Sequence, residues 1–481
     1  MKVRWLLAAA IAVSLAVPVG ASAHPMSYGG VFSGQLPEVS FFEAEAGRDY
    51  FRDSVEAEYD KSDNIGFVGF SARPAAGSLS LANSDIAFQG KRAYQGTFPG
   101  FRILDISNAS KPKEIINYEN CRHPSGQGDI VIYGDIMTRS WDSASSSGMP
   151  AGGWPCGDTR VQAGEEGLHV FDVSDPTAPD AETFIDLPCG SHTASGVPDP
   201  ANGRLIVYST PSSGACSGID VIEIPFGNLA GASYHHFDAA GPNIACHDTG
   251  VILGDVNKAA CAGGQGFAVW SMNAEDGGTL IDPALMYTKN LKTTENININ
   301  TGHSAAFSND GETLIFGHEP SGGTSARCQK TGTVLGNSQY PVQTDDMKSF
   351  FFIEADTGKV ITKWTLPRDQ TATENCTLHN YNVVPSRNRD ILVHGSYQAG
   401  IGVIDFSDLG DIKELAYADP KPLNPNTLAV GGDWSSHYYN GVIWESDITR
   451  GLLSWEIRGD AMGGTMNLKR LNPQTQEFTT G

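Results

Sequence analysis

The chain contains no Cys-x-x-Cys pair, no Gly-x-Ser-x-Gly, no His-Glu-x-x-His, no Walker A loop and no dinucleotide fingerprint. Those gaps disfavour zinc ribbons, thioredoxin-like exchange, nucleophile-elbow hydrolases, zincin proteases and nucleotide-dependent enzymes. Long apolar runs are missing as well. The longest, Trp5 to Val17, is too short to span a bilayer well, and no later segment approaches it, so membrane insertion is not expected. Cations are scarce, with 32 Lys and Arg against 55 Asp and Glu and a formal charge of −23. A surface this acidic repels nucleic acid and anionic membranes, which removes nucleic acid from the expected partners. Signals for helix are few.

What is present begins with an export signal. Lys2 and Arg4 precede the apolar stretch, and Ala21-Ser22-Ala23 forms an A-x-A cleavage site, so residues 1–23 are expected to be a signal peptide cut after Ala23. Removing its two cations from −23 leaves −25 on the mature chain. The protein is expected to be secreted, soluble and monomeric. Residues 24–64, with mixed charge and aromatics from Phe41 to Tyr59, read as an N-terminal extension outside the main fold. Eight cysteines, an even count, suggest disulfides in an exported protein.

One phrase recurs. Gly100-Phe101-Arg102-Ile103-Leu104-Asp105-Ile106-Ser107-Asn108 returns at Gly167–Asp175 and at Gly400–Asp408, each copy a strand closed by Asp-x-Ser-Asp/Asn. It anchors a four-strand unit, clearest at His379–Val384, Asp390–Ser396, Ile401–Ser407 and Ile412–Ala418. Further units start at Asp85, Asp129, His192, His247, His303 and His437. Seven such units predict an all-β fold, a seven-bladed β-propeller of four-stranded blades over residues 65–481. Unit seven lacks a fourth strand after Leu452–Ile457. Ile65–Arg73 is expected to supply it as an N-terminal latch, with Met466–Leu471 as the alternative. The cysteines follow the repeat, before strand A or between strands B and C. Neighbours in sequence are therefore expected to pair: Cys121 with Cys156, Cys189 with Cys216, Cys246 with Cys261, Cys328 with Cys376.

Five of the twelve histidines, His192, His247, His303, His379 and His437, open strand A in consecutive units. Strand A lines the channel of a propeller. Imidazoles converging from several blades would bind a transition metal, most plausibly copper, and affinity would fall below the ordinary histidine pKa of about 6.5. The competing reading makes each histidine a structural hydrogen bonder within its own blade. Asp85, Asp129 and Asp248 sit beside the same register. Glu319 and Glu445 are the better candidates for carboxylates that orient ligands; Asp135, His318 and His394 are weaker ones. His123 lies upstream of register, and His24 would become the mature N-terminus.

At the repeated phrase the chain resembles the LVIVD-repeat family, in particular its secreted actinobacterial members. The likeness runs from about Ile65 to Ile457. It rests on Phe101–Lys111, Cys189-Gly190-Ser191-His192-Thr193, Cys246-His247-Asp248, His303–Gly311 and Gln370–Cys376. It implies a propeller and export, and no established activity. The leading expectation is an exported propeller with a hub-histidine transition-metal site, in the direction of a copper-dependent oxidoreductase. The alternative is a non-enzymatic scaffold that holds a small molecule or a cell-surface partner in the loops Ser140–Gly164 and Gly317–Asp346.

Overall fold

In each copy of the repeated phrase the first aspartate folds back on its own chain. Asp105 Oδ1 accepts from the Ser107 N–H at 2.9 Å, Asp172 Oδ1 from Ser174 at 2.8 Å and Asp405 Oδ1 from Ser407 at 3.0 Å. These Asx turns end strand C and free the chain to reverse into strand D. The structure, a computed structural model, describes residues 55–477 except 73–81, 99, 119, 122–126, 143–147, 213–215 and 239–243. The signal-peptide segment, most of the N-terminal extension, His24 and His123 lie outside the described residues.

Seven antiparallel four-stranded blades form a β-propeller. Their innermost strands are Asn83–Gln89, Ile130–Tyr133, Ala194–Asp199, Cys246–Leu253, Gly302–Phe307, Tyr381–Val384 and Asp433–Tyr439, in blade order. Closure is visible in the core. Seven apolar clusters each join two adjacent blades, including one between blades seven and one built on Phe88, Leu104, Tyr439 and Trp444. Burial of each such side chain contributes about 1.5–3 kcal/mol, so every blade is held mainly by its neighbours.

The latch is the N-terminal segment. Ile65–Ala72 pairs antiparallel with Gly451–Ile457 as the outer strand of blade seven. Buried Arg102 of blade one donates to Ala72 O at 2.7 Å and to Ser71 Oγ at 2.8 Å, which bolts the latch to the next blade. Arg470–Leu471, part of the alternative latch, pairs instead with the inner strand of blade one. Two additions were not legible in the repeat. Tyr59–Lys61 extends blade six as a fifth strand, and Thr475–Glu477 runs parallel to the inner strand of blade four.

All four disulfides join sequence neighbours: Cys121–Cys156, Cys189–Cys216, Cys246–Cys261 and Cys328–Cys376. One register differs from the repeat reading. Strand A of blade seven begins at Asp433, so His437 is its fifth residue and does not open it.

Candidate metal centre

Where strand A opens, the ladder to strand B is broken by a bulge in several blades. The bulge falls between Asn83 and Ile86 in blade one and between Cys246 and Asp248 in blade four. In blade five it lies between Gly302 and Ala305, and in blade seven between Asp433 and Ser435. A bulge releases its residue from pairing and re-aims the side chain. The residues so released are Ser84 with Asp85, His247, His303 with Ser304, and Trp434. Blades four and five also approach closely: a Cβ on Gly250 would stand 2.0 Å from Ala305 O.

Four imidazoles form a row. Ring centroids lie 4.6 Å apart for His192 and His247, 4.0 Å for His247 and His303, and 4.4 Å for His303 and His379. All four are nearly inaccessible to solvent. In each ring Nδ1 faces a fixed partner. His192 Nδ1 meets Asp142 Oδ2 at 2.9 Å, and His247 Nδ1 meets Asp248 Oδ1 at 3.1 Å. His379 Nδ1 donates to the Trp434 carbonyl at 2.7 Å, and a carbonyl can only accept, so the proton is on Nδ1. His303 Nδ1 meets Ser304 Oγ, whose own proton goes to Asp248 Oδ2 at 3.0 Å.

The Nε2 atoms are turned toward one another and toward Glu319. His192 Nε2 and His247 Nε2 are 3.0 Å apart. His303 Nε2 lies 3.8 Å from Glu319 Oε2, and His379 Nε2 lies 3.6 Å from Glu319 Oε1 with no hydrogen-bond partner of its own. One ligand atom from each of His247, His303 and Glu319 falls within 4.8 Å of the others, a grouping that could hold a metal ion. Glu319 leaves the end of strand B of blade five and accepts from the Tyr397 phenol at 2.5 Å. Tyr397 has a left-handed backbone, φ +50°, which costs about 1–3 kcal/mol and is held by two main-chain bonds exchanged with Asp433 at 2.8 and 2.9 Å.

Burial dominates the electrostatics. It pushes His379 down to about 3 and His247 well below the ordinary histidine range, the latter also repelled by His192. Both therefore stand neutral, the form that binds metal. Burial raises Asp248 only to about 6, against the pull of His192 and His379 and the Ser304 hydroxyl. Glu319 rises to about 8, with the Tyr397 hydrogen bond opposing the rise. Asp85, also near 8, and Asp129 are pushed up by burial; Asp248 adds to both and Asp85 to Asp129, so these carboxyls share the field of the hub with the histidines.

Other candidates are spent elsewhere. His437 is fully buried, packs edge-on to Phe88 at 6.5 Å and makes no hydrogen bond through either nitrogen. In its blade the place of His379 is taken by Trp434, since Ser435 bridges to Asn380. Glu445 accepts from Trp455 Nε1 at 2.7 Å, in a blade-seven group with Asp447 and Arg450. His394 bonds Ser396 Oγ at 2.9 Å, fills the space left by Gly402 and packs on Phe350 and Trp364. His318 Nε2 donates to the Asp346 carbonyl. The backbone of Asp135 accepts from Val173. Cys121, Cys156 and His169 also cluster, but the two sulfurs are joined to each other and offer no thiolate. Sequence reasoning missed Asp142, Tyr397 and Trp434. Only Trp434 carried a local signal, the Gly431-Gly432-Asp433 turn that starts its strand early.

The fold has distant likenesses among solved structures. The N-terminal domain of Nup159 is 10% identical over 83% of this chain and 96% of that one, with a TM-score of 0.46. The β-propeller domain of Myceliophteria thermophila Cps50 (Swd1) is 8% identical over 82% and 100%, at 0.47. Streptogramin B lyase is 10% identical over 84% and 99%, at 0.46. None of these bears on the chemistry of the hub. No curated protein sequence matches the chain. The family profile of the LVIVD repeat matches residues 82–120, which are blade one from its inner to its outer strand.

Proposed function

We propose that this propeller is an exported metalloprotein whose hub binds one transition-metal ion. His247, His303 and Glu319 are the central ligands, and His379 and His192 flank them. The observation that carries the reading is the shared orientation of the four rings. Each Nδ1 is tied to a carboxylate, hydroxyl or carbonyl, while the Nε2 atoms of His303 and His379 face Glu319 and those of His192 and His247 face each other. Metal-binding histidines are oriented in this way by the partner on the other nitrogen. Structural histidines would spend both nitrogens within their own blades. The donor set fits the ion: the neutral imidazoles of His247 and His379 stand beside the buried carboxyl of Glu319. Asp248 and Asp142 orient the rings, and Tyr397 positions Glu319.

Copper(II) heads the affinity order for nitrogen and oxygen donors, and it is the ion this reading favours. A bound copper would supply one-electron redox chemistry, in line with an oxidoreductase; zinc in the same donors would make the hub a Lewis acid. Tyr397 and Trp434 wall the His379 side at ring distances of 4.4 and 4.8 Å and would limit what reaches it. Export is supported by four disulfides, which persist in oxidising compartments, and by the leader-like first 23 residues.

Elemental analysis of protein purified from its native exported fraction tests the proposal, with N-terminal sequencing of the same sample. About one equivalent of copper or another transition metal is expected, with His24 as the first residue. The double variant His303→Ala, His379→Ala should lose the metal while keeping its β-sheet circular dichroism. A metal-free native protein that also refuses added copper and zinc would return the hub to a structural role and favour the binding-scaffold reading.

A further inference from the structure

Strand A presents its unpaired edge to the channel, and such an edge seeks partners. The polar C-terminal segment supplies them around the whole ring. Met466 N–H donates to Pro385 O of blade six at 2.8 Å, and Asn440 of blade seven exchanges side-chain bonds with Leu468 main chain at 2.7 and 2.9 Å. Arg470–Leu471 pairs with Phe88 and Gln89 of blade one. The Asn472 amide caps both main-chain groups of Ile132 in blade two, at 2.8 and 3.0 Å. Thr475 Oγ1 donates to Gly196 O of blade three at 2.7 Å, and Thr475–Glu477 pairs with Val251–Leu253 of blade four. The Gln476 amide caps Phe307 of blade five at 2.6 and 2.7 Å.

Every contact falls at or beyond the middle of strand A, and mostly at its end. The four histidines of the row all sit at its start. The stretch from Leu471 to Thr475 is largely buried where water in an open channel would wet it: Asn472 and Thr475 are each 3% exposed although both are polar.

We infer that residues 464–477 are an internal plug that shuts the far mouth of the channel. The histidine chamber is thereby single-ended, and whatever enters it passes through the face where strand A starts. This goes beyond metal binding and does not depend on it.

The test uses metal-free protein in chelator, with diethyl pyrocarbonate as an imidazole probe and peptide mapping as the readout. Exposed His235 on an outer strand is the internal control. A chain ending at Gly463 should show carbethoxylation of His247 and His303 several-fold faster relative to His235. It should also lose amide-exchange protection in the inner strands of blades one and four, which the plug pairs. The full-length variant Asn472→Ala, Gln476→Ala should move both readouts the same way by less, and it serves alone if the truncated chain does not fold. Unchanged relative rates in a variant that has lost the amide protection would show that the segment docks without sealing. Unchanged protection would show that it does not dock. Either outcome overturns the inference.

Discussion

Glu319 is the residue on which the chemistry of the hub turns. Its carboxyl is raised to about 8 by burial, so it carries a proton at neutral pH, whereas His379, lowered to about 3, does not. A metal needs the carboxylate and the free imidazole. Binding at pH 7 should therefore release close to one proton, from Glu319 and not from His379 or His247. Affinity should weaken by about tenfold per pH unit as pH falls below 8, since the proton competes for one group. This replaces the ordinary histidine titration near pH 6.5 that the sequence alone suggests. Calorimetry of copper binding in buffers of different ionisation enthalpy reads the proton count directly. Glu319→Gln should bring the count near zero and flatten the pH dependence. Release of two or more protons would mean that the histidines, too, are charged before binding.

At the scale of elements, the bulges at the start of strand A do what a regular strand could not. They turn side chains out of the ladder, and in blade four a disulfide braces the turned segment. Cys246 immediately precedes His247 and is joined to Cys261 across a separation of 15 residues. Loss of that bridge should cost about 3 kcal/mol in the chain-entropy account. It should also free the bulge that aims His247. Replacing Cys246 and Cys261 together by serine is expected to lower the denaturant midpoint and to weaken metal binding. The Cys189→Ser, Cys216→Ser pair provides the comparison. Cys189 lies three residues before His192, outside the central ligands, so stability should fall with a smaller loss of metal. Equal loss of metal in both variants would argue that the bulge does not depend on its bridge.

For the whole molecule, stability is a property of the closed ring. Each of the seven inter-blade clusters belongs to two blades, and Ile65 and Phe67 of the latch, docked beside Gly451–Ile457, complete the one between blades six and seven. Arg102 joins that latch to blade one through a guanidinium fully buried against Ala72 and Ser71. Arg102→Ala removes both bonds from the half-buried Ser71 and exposed Ala72, at a cost of about 1–1.5 kcal/mol each. A stability loss of about 2–3 kcal/mol in urea titration is expected, with the blade-seven amides of Gly451–Ile457 exchanging sooner than those of blade three. A loss spread evenly over all blades would show that the latch opens only with global unfolding.

The repeated Asp-x-Ser turns, the recurring strand units and the even number of cysteines placed to match the repeat were enough, in sequence, to specify seven blades, the latch and four local disulfides. Each of these depends on short-range chemistry: an aspartate that folds onto its own chain, a strand period of two, a cysteine that meets its neighbour across one loop. The row of four histidines was legible for the same reason, since a repeat places equal positions at equal heights. His437 misled because residue type was matched where register had slipped. A bulge shifts register without leaving a mark in composition, and only the pairing of Asp433 with Asp447 reveals it. Asp142 and Tyr397 reach the hub from long loops or the ends of other strands, at separations no periodicity encodes. The path of the tail leaves no local signal, because its partners are the strand edges of all seven blades. Those edges come together only once the ring has closed.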